Sequence, residues 1–231
     1  MNMPINTQKK ADKRETVTMS QKKAHLLPIL QQQPVMPVLL IERRQDAVPL
    51  AQALVRGGIR SLEVTLRTEA ALDCITSIAQ QVPEAIVGAG TVLDAAQFAA
   101  AEKAGAQFVV SPGLTPQLVE KAAGSAVPLL PGAVTPGEIM TAREQGYDIL
   151  KFFPAEQAGG VDYVKALASP LAGVTFCPTG GINLANAPHW LSLPNVICVG
   201  GSWLAPQKLI QAGRWDDICA LAAGAAQLNK P

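Results

Sequence analysis

The sequence predicts an α/β protein: a (β/α)8 TIM barrel in a single domain, preceded by a short N-terminal helix and a disordered N-terminal tail. Three observations carry this prediction. From Val35 onward, short β-branched runs alternate with longer alanine- and leucine-rich segments, the pattern of strand–helix units around a parallel sheet. The runs number eight, the strand count of such a barrel. The 231 residues are 48% hydrophobic and 16% charged, enough for one substantial core of the size that these barrels reach as single domains.

Residues 1–24 hold six Lys/Arg and two acidic residues and lack the apolar core of a signal peptide. We read residues 1–19 as a disordered tail and 20–231 as the domain, with a weak helix from Ser20 to Gln33. Met19 offers an alternative start, and an extended start, a tag and a weak targeting segment stay open. The predicted strands are VMPVLLI (35–41), SLEVTL (61–66), AIVGAG (85–90), FVVS (108–111), VPLLPG (127–132), DILKFF (148–153), VTFCPT (174–179) and VICVGG (196–201). Helices fill the gaps: DAVPLAQALVRGG stops at a glycine pair, and TPQLVEKAAG starts with a threonine cap and a proline at its first turn. The competing arrangement, an open doubly wound sheet, normally has fewer strands and often a GxGxxG turn. The stretch GAGT (88–91) lacks the downstream glycine of that turn.

Composition narrows the chemistry. Nineteen Lys/Arg against eighteen Asp/Glu leave a net charge of +1, and the basic residues are dispersed, so no nucleic-acid partner is expected. No apolar run approaches the roughly 18 residues of a membrane span, so neither is a membrane. Cys74, Cys177, Cys198 and Cys219 are isolated in apolar segments without CxxC spacing, as expected of reduced core thiols in a cytoplasmic protein. His25 and His189 are the only histidines, too few for a histidine-rich metal site, and a Ser-His-Asp triad has almost no material.

In such barrels the chemistry sits at the C-terminal ends of the strands. Glu63, Thr65 and Arg67 share one face of a period-two strand, while Leu62, Val64 and Leu66 take the other. Lys151, flanked by Leu150 and Phe152, ends the sixth run. A lysine there can snorkel to solvent. A closed barrel has no edge strand, however, so its amine would point into the mouth. Desolvation in a mouth disfavours an ammonium and favours the neutral amine that attacks a ketone to form a Schiff base. Glu63 is then either a charge partner or a proton-transfer group. Arg67 is either a surface ion-pair partner or a planar fork for a substrate carboxylate. The last two runs lead into CPTGGIN (177–183) and VGGSW (199–203). Thr179, Gly180, Gly181, Gly201 and Ser202 thus fall where barrels hold phosphate on backbone amides.

The motifs LEVTLRT (62–68), GAGTV (88–92), SPG (111–113), KFFPAE (151–156), FCPTGGI (176–182) and VGGSW (199–203) occur in order. Together they resemble the 2-keto-3-deoxy-6-phosphogluconate (KDPG) aldolases, also described as 4-hydroxy-2-oxoglutarate (KHG) aldolases, from about Val35 to Pro206. The resemblance implies a metal-free class I aldolase on a (β/α)8 barrel, a homotrimer that needs no cofactor and handles pyruvate and a phosphorylated keto acid. By the same resemblance Lys151 forms the Schiff base and Glu63 is the acid/base residue acting through a water. Arg67 and Thr91 hold the pyruvate carboxylate, Pro112 and Phe153 shape the pyruvyl pocket, and Gly180, Gly181 and Ser202 bind phosphate. The implied reaction is cleavage of KDPG to pyruvate and glyceraldehyde 3-phosphate, with 4-hydroxy-2-oxoglutarate as a second substrate. An aldolase for the galactonate epimer and a non-catalytic sugar-phosphate-binding barrel stay open at the level of sequence.

Overall fold

The computed structural model describes residues 19–228. All but Met19 of the predicted tail lies outside the described residues; Met19 opens α1 (Met19–Gln31), close to the predicted Ser20–Gln33 helix. All eight predicted strands are present: β1 (Val35–Leu39), β2 (Ser61–Thr65), β3 (Ile86–Gly90), β4 (Val109–Val110), β5 (Leu129–Leu130), β6 (Ile149–Phe152), β7 (Thr175–Pro178) and β8 (Val199–Gly201). Helices α2 (Arg44–Arg56), α3 (Ala71–Gln81), α4 (Ala95–Lys103), α5 (Pro116–Ala123), α6 (Pro136–Glu144), α7 (Gly160–Leu167) and α8 (Ala187–Leu191) follow the first seven strands, and α9 (Gln207–Gln211) and α10 (Trp215–Ala226) the last. Local signals explain these starts. Thr115 caps α5, its Oγ1 accepting from the Leu118 amide at 3.2 Å, and Thr135 and Glu138 form a reciprocal capping box on α6.

Six strands make one curled parallel sheet in the order β5-β4-β3-β2-β1-β8, while β6 and β7 pair with each other. Single bridges meet the pair on both sides: Gly132 beyond β5 opposite Lys151, and Phe176 and Thr179 opposite Val196 and Gly200. The sequence alone predicts eight equivalent strands, and proline explains part of the difference. Pro131 has no N–H to donate, so beside β6 the ladder reduces to Lys151 N–H donating to Pro131 O (2.8 Å) and Ala133 N–H donating to Lys151 O (3.0 Å).

The two faces of the sheet bury different residues. Leu62 and Val64 of β2 join Leu50, Leu54, Ile75, Ile78 and Phe98 in the layer between strands and helices. On the opposite face, Met36, Phe108, Val110, Leu130, Ile149, Cys177, Ile197 and Cys198 pack with Leu26, Ile29 and Leu30 of α1. Residues from five strands can meet on one face only if the sheet curls strongly. Gln33 locks the α1–β1 turn to β2. Its Nε2 donates to Val35 O and Ser61 O, and its Oε1 accepts from the amides of Arg60 and Ser61, which uses all of its hydrogen-bonding capacity. The Sγ atoms of Cys177 and Cys198 lie 3.5 Å apart without a disulfide. Among the described residues no helix is long and apolar enough to cross a membrane.

Candidate active site

Lys151 and Glu63 project from β6 and β2, strands separated by β3, β4 and β5. At the usual spacing of about 4.8 Å, four strand intervals in a flat sheet would hold them about 19 Å apart. Curling instead brings Lys151 Nζ to 3.2 Å from Glu63 Oε1, with only 7% and 3% of the two side chains exposed. This is a buried ion pair, and such pairs contribute little net stability because desolvation offsets their attraction. The apolar ring of Phe153, centred 5.4 Å from Nζ, borders the amine. Among the described residues no group of three or more His, Cys, Asp or Glu side chains is gathered to hold a metal ion.

The rim residues divide by position. Arg67 lies beyond the end of β2, in an exposed turn, because the strand stops at Thr65. Its Nε donates to Thr65 Oγ1 at 3.1 Å, and Thr65 Oγ1 in turn donates to Leu39 O at 2.8 Å. Thr91 follows β3 with φ at 57°, an unusual left-handed conformation for a β-branched residue. The ladder carries on to join these neighbours, since Leu66 N–H donates to Gly90 O at 2.8 Å. Pro112 is half-buried and Phe153 is 40% exposed; both line a cleft of about 430 Å³ with Gly132, Ala133 and Val134. Among the described residues neither Arg67 nor Thr91 bonds to Lys151 or Glu63.

The two glycine-rich segments come together through the Thr179–Gly200 bridge. Gly180 and Gly181 both have positive φ, 108° and 76°, which glycine adopts without strain. Their amides donate to no acceptor among the described residues. Gly201 is buried in β8, and Ser202, just past it, is exposed. Thr179 is buried against Gly200, where a Cβ would lie 2.1 Å from Thr179 Oγ1.

Two contributors were missed in the sequence. Gly90 faces Glu63: a Cβ there would lie 2.2 Å from Glu63 Oε1. The signal is in GAG, where Gly88 and Gly90 share a strand face; both the nucleotide-turn reading and the GAGTV motif, which points to Thr91, leave Gly90 without a role of its own. Glu156 closes the KFFPAE motif, and its Oε1 accepts from Trp190 Nε1 at 2.9 Å and Asn186 Nδ2 at 3.1 Å. Spacing gives no hint of that, because its partners lie 34 and 30 residues away.

The chain is similar in sequence and fold to known proteins. The family described as KDPG and KHG aldolase matches residues 27–221. The 2-dehydro-3-deoxy-phosphogluconate aldolase of Pseudoalteromonas atlantica is 53% identical over 202 residues, covering 86% of this chain and 94% of its own. The KHG/KDPG aldolase of Escherichia coli is 51% identical over 199 residues, covering 86% and 93%. The solved structure of KDPG aldolase from Legionella pneumophila, with pyruvate captured at low pH as a covalent carbinolamine intermediate, matches with a TM-score of 0.84. It is 43% identical and covers 86% of this chain and 97% of its own. The chain therefore belongs to the KDPG and KHG aldolase family, lyases that act on carbon–carbon bonds.

Proposed function

We propose that this chain is a class I aldolase cleaving 2-dehydro-3-deoxy-6-phosphogluconate to pyruvate and glyceraldehyde 3-phosphate, and 4-hydroxy-2-oxoglutarate to pyruvate and glyoxylate. The observation that carries the proposal is the buried Lys151–Glu63 pair, 3.2 Å apart. A proton passed from Nζ to the carboxylate or a water leaves the neutral amine that attacks the C2 ketone. The carbinolamine loses water to give a protonated iminium, which acts as the electron sink, so the cycle requires no metal. Glu63, through a water, takes the C4 hydroxyl proton as the C3–C4 bond breaks. The bonding electrons become an enamine and the aldehyde leaves. Protonation at C3 and hydrolysis of the imine release pyruvate and restore the amine.

In this reading Arg67 and Thr91 hold the pyruvate carboxylate, and Pro112 and Phe153 wall the pyruvyl carbons. Thr179, Gly180, Gly181, Gly201 and Ser202 cradle the phosphate; the unused Gly180 and Gly181 amides support that assignment. The proposal includes a single (β/α)8 domain over residues 20–231, supported by the bridges on both sides of the β6–β7 pair and by the core within the curl. It also includes a homotrimer working in the cytoplasm. Incubation with pyruvate and borohydride, followed by peptide mass spectrometry, tests the chemistry. A reduced pyruvyl adduct on Lys151 is expected; its absence from folded protein, or its appearance only on another lysine, overturns the assignment.

A further inference from the structure

We infer that Glu156 is a positioning residue that sets the geometry of the Gly180–Gly181 loop and so the preference for phosphorylated over unphosphorylated keto acids. The inference rests on the proposed phosphate role of that loop.

Glu156 holds the loop in three ways. Its amide donates to Gly180 O at 3.2 Å, one residue on from the Ala155 N–H bond to Thr179 O at 2.8 Å, so the segments after β6 and β7 stay clipped together beyond their strands. Its stem packs against Gly181, where a Cβ would meet Glu156 Cγ at 2.5 Å and Cβ at 2.8 Å. Its Oε1 accepts from Asn186 Nδ2 at 3.1 Å, and that same nitrogen donates to Gly181 O, also at 3.1 Å. The carboxylate is itself anchored by the indole N–H of Trp190 at 2.9 Å, and Trp190 is fully buried.

Together these contacts order backbone whose Gly180 and Gly181 amides donate to no acceptor among the described residues. A loop fixed in advance binds a phosphate without losing conformational freedom at that step. None of the contacts involves Lys151 or Glu63, so their loss should act at the phosphate end. 4-Hydroxy-2-oxoglutarate is one carbon shorter and ends in a carboxylate in place of the phosphate, so it offers the loop a smaller group with less charge and fewer acceptor oxygens.

The test compares kcat and KM on both substrates for wild type, Glu156→Ala, Glu156→Gln and Trp190→Phe. Glu156→Ala should raise KM for the phosphorylated substrate about tenfold, the scale of a lost charge-assisted hydrogen bond, while kcat/KM on 4-hydroxy-2-oxoglutarate changes less than about twofold. Glu156→Gln keeps an acceptor for both donors and should restore most of the loss. Trp190→Phe removes the indole donor together with part of the buried side chain's volume, so it is read on the substrate ratio, which should shift in the same direction but less. If Glu156→Ala fails to fold, this variant decides the matter. Equal losses on both substrates, an unchanged substrate ratio, or a glutamine variant as impaired as the alanine variant would overturn the inference. A wild-type chain without a pyruvate adduct would overturn the proposed function and this inference with it, whereas an adduct-forming, active wild type with an unchanged ratio in the variants overturns the inference alone.

Discussion

Gly90→Ala perturbs the reacting pair by one methyl group. The backbone at Gly90 is not left-handed, so alanine meets no conformational strain, and its effect is steric. The new Cβ would lie 2.2 Å from Glu63 Oε1, 2.5 Å from its Cγ and 2.7 Å from its Cδ, whereas real Cβ contacts essentially never fall under 3.0 Å. The carboxylate must therefore retreat by about 1 Å, enough to cost about 100-fold in rate when a reacting group is displaced. It starts only 3.2 Å from Lys151 Nζ, so the retreat disturbs the proton-transfer geometry directly. The assay is kcat on KDPG for wild type, Gly90→Ala, Glu63→Ala and the double variant, with circular dichroism to verify folding. We expect Gly90→Ala to lose about 100-fold in kcat and to have little further effect once Glu63 is alanine, because no carboxylate remains to displace. Wild-type kcat in Gly90→Ala, or an undiminished loss in the Glu63→Ala background, would refute the steric argument.

Three further outcomes follow from the same structure. Lys151→Met should abolish turnover and cost about 3–5 kcal/mol in denaturant unfolding by leaving Glu63 buried without its partner. The Lys151→Met/Glu63→Leu pair should stay inactive yet recover wild-type stability or exceed it; a double variant less stable than Lys151→Met would count against this. The Tyr147 hydroxyl is buried without a hydrogen-bond partner among the described residues, and burial pushes its pKa up to about 12. Tyr147→Phe should accordingly leave stability unchanged or raise it by about 1 kcal/mol, and a clear loss would reveal a partner for the hydroxyl. Glu102 is held below the usual carboxylate range by the Ser125 hydroxyl and by Lys121. Its folded pKa is the lower one, so its contribution is complete above the unfolded value of about 4.3 and is lost as pH falls through the folded value. Thermal melts of Glu102→Gln should therefore fall less steeply than wild type on acidification below that value; parallel profiles would contradict the linkage.

Much of this was legible along the chain. Period-two alternation separated Leu62 and Val64 from Glu63 and Thr65, and the structure buries the two sets on opposite faces of β2. Thr115–Pro116 marked a helix start because capping is local, decided within one turn. Arg67 shows the limit of such reasoning. Parity carried it along β2, but the chain turns after Thr65, and its side chain is placed by a hydrogen bond instead of by the pleat.

The sequence by itself determined the number of strands and their succession along the chain, the face each residue of β2 takes and the residue types at the strand ends, since each depends on neighbours a few positions away. Only the tertiary structure decided that residues 88 positions apart would meet at 3.2 Å. It also decided that Gly90 would leave room for Glu63, and that Glu156 would reach Trp190 and Asn186 to brace a loop. Those contacts depend on how far the sheet curls and on which side chains then share one confined space. No local periodicity encodes that, because it follows from packing the whole core at once.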